Sequence, residues 1–426
     1  MLDLNFIREN PQLVQKAAKS KNIDVNIDHI LEIDKKNKEL SISVQKLREE
    51  RNRLTDSIRG KPTTEQIEKG KNLKEKLERQ EHASKAVWEE LKRKLYEIPN
   101  VAKRDVKVGK DESKNEVIRK YKESTKFSFK PKDHLELGES LDIIDVKSAA
   151  KVSGTRFAYL KNEGALLEFA LIQLALDVLI KEGFTPIIPP VLINKEITQG
   201  LGYWEGKGST DYYSVSDPDE KKEMYLVGTA EHSIVPMHKD EVLEKKDLPK
   251  RYVGFSSAFR REAGTYGKDT RGILRVHQFD KVEMVSFTTE ENDDKEHEYL
   301  LSLEEKLFQL LDIPYQVVKM CTGDLGFPVA RKYDLEAWMP GENKFREVTS
   351  TSSTSDFQAR RLNIKYQESP PAGGEKKFVH ILNGTAFAIG RTIISILENY
   401  QEIDGSVIIP KILQKYLHFE KITPKK

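Results

Sequence analysis

A run of heptads near the start constrains this chain most. Ile30, Ile33, Asn37, Leu40, Val44, Leu47, Arg51, Leu54 and Ile58 follow one another at alternating steps of three and four. That spacing is the seam of a coiled coil. Gly60 can end the helix and Pro62 cannot continue it, so the run breaks there. Leu73, Leu77, Val87, Leu91 and Ile98 resume the spacing, with Gly70, Gln80 and Ser84 on the same seam, until Pro99 stops it. Between Asp28 and Glu97 stand 18 Lys/Arg and 15 Asp/Glu, which leaves the outer faces solvated. Two such helices joined by a short loop form an antiparallel hairpin, roughly 45 Å long for ~30 residues per arm. Ahead of it, Asn10-Pro11 opens a short helix carrying Leu13, Val14 and Ala17.

A charged hairpin has two uses. Its default is a solvated coiled coil for oligomerisation. The sharper reading is a nucleic-acid arm, because Arg48, Arg51, Arg53, Arg59, Lys61, Lys69, Lys71, Lys74 and Lys76 gather toward the loop end, where they can neutralise phosphates. The whole chain has 71 Lys+Arg against 69 Asp+Glu, so any basic patch is local. The lone cysteine, Cys321, excludes a disulfide scaffold and a Cys-cluster zinc site, and suits a reducing cytosol. The N-terminus lacks the basic-then-apolar layout of a signal peptide. The most apolar stretch, Ala165 to Ile180, is interrupted by Glu168, Gln173 and Asp177 and falls short of the ~18 apolar residues of a membrane span. The expectation is a cytoplasmic protein with no membrane partner.

We divide the chain into a helical domain over 1–100, a polar, lysine-rich connector over 101–133 and a larger domain over 134–426. In the last, Ala165 to Glu182 reads as a buried helix capped by Gly183. The prolines of Pro186 to Ile193 confine an extended segment to an edge or interface. Tyr252–Ser256, Val282–Phe287 and Tyr315–Lys319 read as strands, and Asn292–Leu311 and Thr385–Gln401 as helical. Strands in runs with helices set apart predict an α+β fold on a largely antiparallel sheet. A P-loop fails at Gly206-Lys207, because Leu201 stands where its first glycine belongs and Gly208 follows the lysine. The scattered glycines at 200, 202, 206 and 208 give a dinucleotide fold no support.

Phe259-Arg260-Arg261-Glu262 ends one strand, a glycine-containing loop turns, and Val276-His277-Gln278-Phe279-Asp280-Lys281-Val282-Glu283 returns as another. Alone this is an ordinary charged hairpin. Leu382 to Thr392, with Arg391, alone reads as a packed helix with one snorkelling arginine. Together they resemble the class II aminoacyl-tRNA synthetases, and the whole chain is similar to bacterial-type seryl-tRNA synthetases. The likeness runs in order through Met1-Leu2-Asp3, Glu97-Ile98-Pro99-Asn100, Ser153-Gly154-Thr155-Arg156-Phe157, the proline-bearing segment ending at Pro190 and Thr229-Ala230-Glu231. It continues through Thr322-Gly323-Asp324-Leu325-Gly326, Tyr333-Asp334-Leu335-Glu336-Ala337-Trp338, Asp356-Phe357-Gln358-Ala359-Arg360-Arg361 and Arg391.

The resemblance implies ligation of L-serine to tRNA(Ser), and in many members tRNA(Sec), through a seryl-adenylate, by an ATP-dependent homodimer using Mg2+. It implies that Arg260 holds the α-phosphate and the serine carboxylate, and that Arg391 reaches the γ-phosphate. Phe279 and Arg391 enclose the adenine, whose amino group donates to Glu262. Arg261, Val348 and Thr349 complete the ATP site, and Glu347 and Ser350 take Mg2+. Thr229, Ala230, Glu231, Glu283 and Thr385 hold serine. The hairpin becomes the tRNA arm. No zinc and no catalytic histidine are implied, so His277 and His380 read as structural. Four positions depart from the common pattern: Arg261 for Ser or Thr, Gly228 for proline, Ser353 for asparagine and Thr385 for serine. They bear on rate and on the serine pocket. The competing reading is a catalytically silent paralogue that binds RNA or protein.

Overall fold

In the computed structural model, which describes residues 1–203, 211–217, 222–263, 271–368 and 374–425, the chain forms two units, Met1–Pro99 and Asn100–Lys426. Gly206, Gly208 and the turn Gly264–Thr270 lie outside the described residues.

The first unit holds α1 (Leu4–Glu9), α2 (Pro11–Ser20), α3 (Ile27–Ser57) and α4 (Thr64–Tyr96). Each start has a local cause. Asp3 accepts from the Asn5 and Phe6 amides, Pro11 occupies the first turn of α2, and Asn26 accepts from His29. Thr63 and Gln66 cap α4 reciprocally. The arms of 31 and 33 residues pack along the heptad seam through Ile30, Ile33 and Val44 against Leu73, Leu77, Val87, Leu91 and Leu95. Arg51, a seam position by spacing, is exposed, because the charged end of an arginine stays in water. Arg8 grips the buried Asp34 with two hydrogen bonds of 2.8 Å, tying α1 to α3.

The second unit is built on eight strands: β1 (Glu116–Tyr121), β2 (Thr185–Ile187), β3 (Lys250–Phe259), β4 (Gln278–Thr288), β5 (Tyr315–Lys319), β6 (Arg331–Met339), β7 (Lys344–Ser353) and β8 (His380–Ala388). Their order is β1-β5-β6-β7-β8-β4-β3-β2, antiparallel throughout except β2 beside β3. The expected α+β fold is present. The segment read as a connector instead supplies the edge strand β1, whose polar sequence suits an edge. Thr385 to Ala388, read as helical, finishes β8 before the helix begins.

Helices α5 (Asn162–Lys181), α6 (Asp293–Leu310) and α7 (Ile389–Asn399) pack on the sheet. Their main apolar cluster joins Leu171, Leu307, Phe308 and Ile393 to Val282, Met284, Leu335, Leu382 and Phe387 of the strands. A smaller cluster of Ile193, Ile234, Ala359 and Leu362 covers Tyr252, Val285, Phe287 and Ile381 of β3, β4 and β8. In the register these four strand residues alternate with those of the main cluster, so they lie on the opposite face. What remains of that face is the candidate site. Gly183 follows α5 at φ 84°, as expected of a helix C-cap. The helix is not buried all round. Leu166, Phe169 and Ile180 are exposed at 48%, 66% and 48%, at spacings that make one stripe.

Candidate active site

Two irregularities in the sheet assemble the site. Strand alternation alone would send Glu347 and Ser350 to opposite faces. Asp334 pairs with Ser350 and Leu335 with Thr349, but Glu336 then pairs with Glu347, so Val348 is an extra residue on β7. The bulge brings the Glu347 carboxylate and the Ser350 hydroxyl to one face, with Asp334. A second shift pairs Val282 with Phe387 but Glu283 with Thr385, making Ala386 the extra residue. By register, Phe279, Lys281 and Glu283 of β4, Thr385 and Asn383 of β8, Ser350 and Glu347 of β7, and Lys332 and Asp334 of β6 all share this face.

The residues expected around ATP divide accordingly. Arg260 follows β3; its Nε donates to the Gly228 carbonyl at 3.1 Å and its guanidinium lies 5.4 Å from the Phe279 ring centre. Glu262 sits at φ 49°, its carbonyl accepting from Arg156 at 3.3 Å and its carboxylate from Arg275 at 3.4 Å. Arg391 donates to the Glu347 carbonyl at 3.1 Å and carboxylate at 2.9 Å. Burial works against the charge of Glu347, yet Lys332, Arg391 and Arg260 together hold its carboxyl well below the usual range. Burial pushes the neighbouring Asp334 up, against Lys332 at 2.9 Å and with Glu347 adding to the push. Two expected residues turn away. Val348 is buried in the main cluster, and the Thr349 hydroxyl donates to Glu304 of α6 at 2.7 Å. Their side chains serve the far face, so only their backbone can meet a ligand here. Arg261 is exposed, with its amide on the Asp211 carbonyl at 3.3 Å.

The residues expected around serine form a buried polar pocket. Glu231 opens a short helix, Glu231–Ile234, beside Thr229 and Ala230, all three buried. Tyr203 donates to both of its oxygens at 3.0 Å, and Gln358 to one of them at 3.0 Å. Burial pushes the Glu231 carboxyl up to about 7, Glu283 adding to it while Gln358, Lys281 and Tyr203 pull the other way. Thr385 donates to Glu283 at 3.1 Å, and Lys281 pairs with the same carboxylate at 2.6 Å. Among the described residues, the buried hydroxyls of Thr229 and Ser256 have no hydrogen-bond partner. Buried polar groups are rarely left so, and two beside one pocket point to a polar ligand. Sequence reasoning missed Tyr203, Lys332 and Ser256 as site residues. It quoted Lys281, Asp334, Gln358 and Arg156 within motifs without giving them roles.

The departures now have physical content. The Gly228 amide donates to His232 Nδ1 at 3.1 Å, a bond that proline could not make. Burial, with Arg260 and Lys281 nearby, keeps His232 well below the usual histidine range. Ser353 donates to the buried Asp293 at 2.8 Å, and His380 meets the same carboxylate at 2.5 Å. His277 contacts the Arg260 carbonyl through Nδ1 at 3.0 Å. The nine basic residues of the hairpin are all exposed; Arg48 bridges the arms to Glu81 at 2.7 Å. Among the described residues no three His, Cys, Asp or Glu side chains gather as a metal site, and no helix is long and apolar enough to cross a membrane.

Known proteins resemble both units. Residues 213–400 match the tRNA synthetase class II core domain (G, H, P, S and T), and residues 1–102 match the seryl-tRNA synthetase N-terminal domain. The serine–tRNA ligase of Dictyoglomus thermophilum is 46% identical, with all of both chains covered. The crystal structure of seryl-tRNA synthetase from Pyrococcus horikoshii complexed with ATP superposes with a TM-score of 0.92 at 41% identity, covering 100% of each chain. The cytoplasmic serine–tRNA ligase of Naegleria fowleri in complex with AMP gives 0.88 at 29%, covering 100% of this chain and 99% of that one. Full-length identity at this level and superposition over the whole chain agree: the chain belongs to the seryl-tRNA synthetase family of class II aminoacyl-tRNA synthetases.

Proposed function

We propose that the chain carries out its family's reaction, ATP-dependent ligation of L-serine to tRNA(Ser). The observation that carries this reading is the pocket of Glu231, Glu283 and Thr385 with the unpartnered Thr229 and Ser256 hydroxyls, lying beside Arg260. It offers a carboxylate to an amino group, acceptors to a hydroxyl and a guanidinium to a carboxylate. The serine carboxylate, ionised at neutral pH because its pKa is roughly 3.5, needs no general base to attack the α-phosphate. The difficulty is bringing an anion to a polyanion, so fixed cations do the work. Arg260 bridges carboxylate and α-phosphate, and Arg391 takes the γ-phosphate. Phe279 provides the aromatic surface for adenine, and Glu262 an acceptor for its amino group. The adenylate then yields its seryl group to the terminal ribose of the tRNA.

Glu347 and Ser350 fit Mg2+, being hard oxygen donors brought to one face by the Val348 bulge. The ion would supply charge neutralisation at the phosphates, with Glu347 released from Arg391 to reach it. The basic end of the hairpin is the tRNA contact, reading shape and backbone rather than base edges. A homodimer would cover the exposed stripe of α5 together with Ile188, which is 86% exposed. A cytoplasmic location and service to tRNA(Sec) complete the proposal. Serine-dependent ATP–pyrophosphate exchange, followed by charging of tRNA(Ser) and tRNA(Sec) transcripts, tests it. Absence of serine-dependent exchange would overturn it.

A further inference from the structure

Lys281 sits where a lysine is costly. Its side chain is 8% exposed and burial lowers its pKa, so its charge persists only with compensation. Its ammonium is 2.6 Å from Glu283 Oε2 and 3.4 Å from the Thr385 hydroxyl, which itself donates to Oε2 at 3.1 Å. Among the described residues, these two contacts to the carboxylate both fall on Oε2. Among the described residues, the other charged and titratable groups around Lys281 include Arg260 beyond β3, Glu231 and His232 on the short helix, and Glu304 of α6 behind the sheet. Among the described residues, Arg260 and Lys281 face the carboxylates of Glu231 and Glu283 in this part of the site, and burial raises the Glu231 carboxyl.

On the reading that this pocket takes serine, we propose that Lys281 is a positioning residue for amino-acid selectivity: it pins Glu283 by Oε2 so that Oε1 is turned to accept the ligand hydroxyl. A carboxylate held this way accepts and cannot donate, so a ligand with a hydroxyl completes it and a ligand with a methyl leaves it unpaired. Without the ammonium, Glu283 is a buried carboxylate that, among the described residues, keeps Thr385 as its hydrogen-bond donor. It then loses direction as well as compensation. The effect belongs to the amino acid and not to ATP, because the hydrogen-bonding partners of Lys281, Glu283 and Thr385, both belong to the serine pocket.

The test uses the full-length enzyme and serine- or alanine-dependent ATP–pyrophosphate exchange. The variants are Lys281→Met, Lys281→Arg, Glu283→Gln and the double Lys281→Met/Glu283→Gln. Lys281→Met should raise the serine KM and lower the serine-to-alanine ratio of kcat/KM, each by about tenfold or more, with the ATP KM within about twofold. Lys281→Arg should recover part of the ratio. Within the Glu283→Gln background, Lys281→Met should change the ratio little, because the group it acts through is gone. A serine KM and selectivity ratio unchanged in Lys281→Met would overturn the proposal. So would equal effects in both backgrounds, or a loss shared with ATP. Should Lys281→Met fail to fold by circular dichroism, Lys281→Arg and Glu283→Gln still decide. An unchanged ratio in Glu283→Gln, or a ratio in Lys281→Arg as low as in Glu283→Gln, sinks the idea. A wild-type enzyme without serine-dependent exchange would instead refute the parent reading.

Discussion

Arg391 and Glu347 hold each other: one guanidinium nitrogen donates to both the backbone carbonyl and the carboxylate of Glu347, at 3.1 and 2.9 Å. The two residues assigned to the γ-phosphate and to its metal ion are thus stored as a pair. On the proposed assignment, nucleotide binding would exchange that pair for phosphate and metal contacts, and the charges need not be desolvated anew. Arg391→Ala should lower serine-dependent exchange by about 10²–10³-fold, as loss of a transition-state donor does. Most of the fold should survive, because the Glu347 carboxylate keeps Lys332 at 3.8 Å. Exchange within twofold of wild type, measured beside an unchanged circular dichroism spectrum, would contradict the assignment.

Glu304 should make stability fall as pH rises. It is fully buried, with Oε2 accepting from the Thr349 hydroxyl and Oε1 without a hydrogen-bond partner among the described residues. Burial pushes its carboxyl well above the usual range, Thr349 opposing and Glu283 and Asp334 adding to the push. In the unfolded chain the proton leaves near 4.5; in the folded chain it stays to higher pH. Above that pH the folded state binds the extra proton, so Glu304 costs up to about 1.4 kcal/mol per pH unit until its folded pKa is reached. Glu304→Gln should therefore lose less Tm than wild type between about pH 5 and 8. Parallel Tm curves for the two proteins would show that Glu304 is ionised in the fold.

The hairpin should separate the two steps of the reaction. Replacing Asp28 to Glu97 with a short linker should leave serine activation nearly intact, since every residue assigned to activation lies beyond Pro99. Charging of tRNA(Ser) should fall steeply. In the full-length protein, alanine at Arg51, Arg53 and Lys74 should flatten the log–log salt dependence of tRNA binding, by about 0.7–0.9 for each phosphate that the arm no longer neutralises. Loss of activation together with charging, and an unchanged salt slope, would mean that the arm only stiffens the protein.

Phe169→Asp should favour monomers. Phe169 is 66% exposed on α5, between Leu166 and Ile180. Burying a large apolar side chain contributes about 1.5–3 kcal/mol, and a symmetric interface counts it twice. Sedimentation should find the wild type dimeric at micromolar concentration and the variant shifted toward monomer. A wild type that sediments as a monomer would remove the basis for the interface.

Much of this protein is legible in the chain itself. Heptad spacing and the breakers Gly60 and Pro62 announce the hairpin, because an isolated pair of helices must bury a seam that its sequence displays. Local hydrogen bonding explains the caps at Asp3, Asn26 and Thr63. The resemblance to class II synthetases singles out Arg260, Glu231, Glu283, Glu347 and Arg391 as expectations before any geometry is known. The exposure of α5 was not legible, because an apolar helix reads the same whether a sheet or a second subunit covers it. Nor was the role of Lys281, a basic residue in a strand that composition would leave in solvent. Only the tertiary structure decides which residues meet. Period-two alternation sets Glu347 against Ser350, three residues apart, on opposite faces. The extra residue at Val348 reverses that, and the extra residue at Ala386 brings Thr385 opposite Glu283. A bulge is a property of two strands in register, settled by which neighbours pair and what they pack against, and one strand's sequence does not contain it.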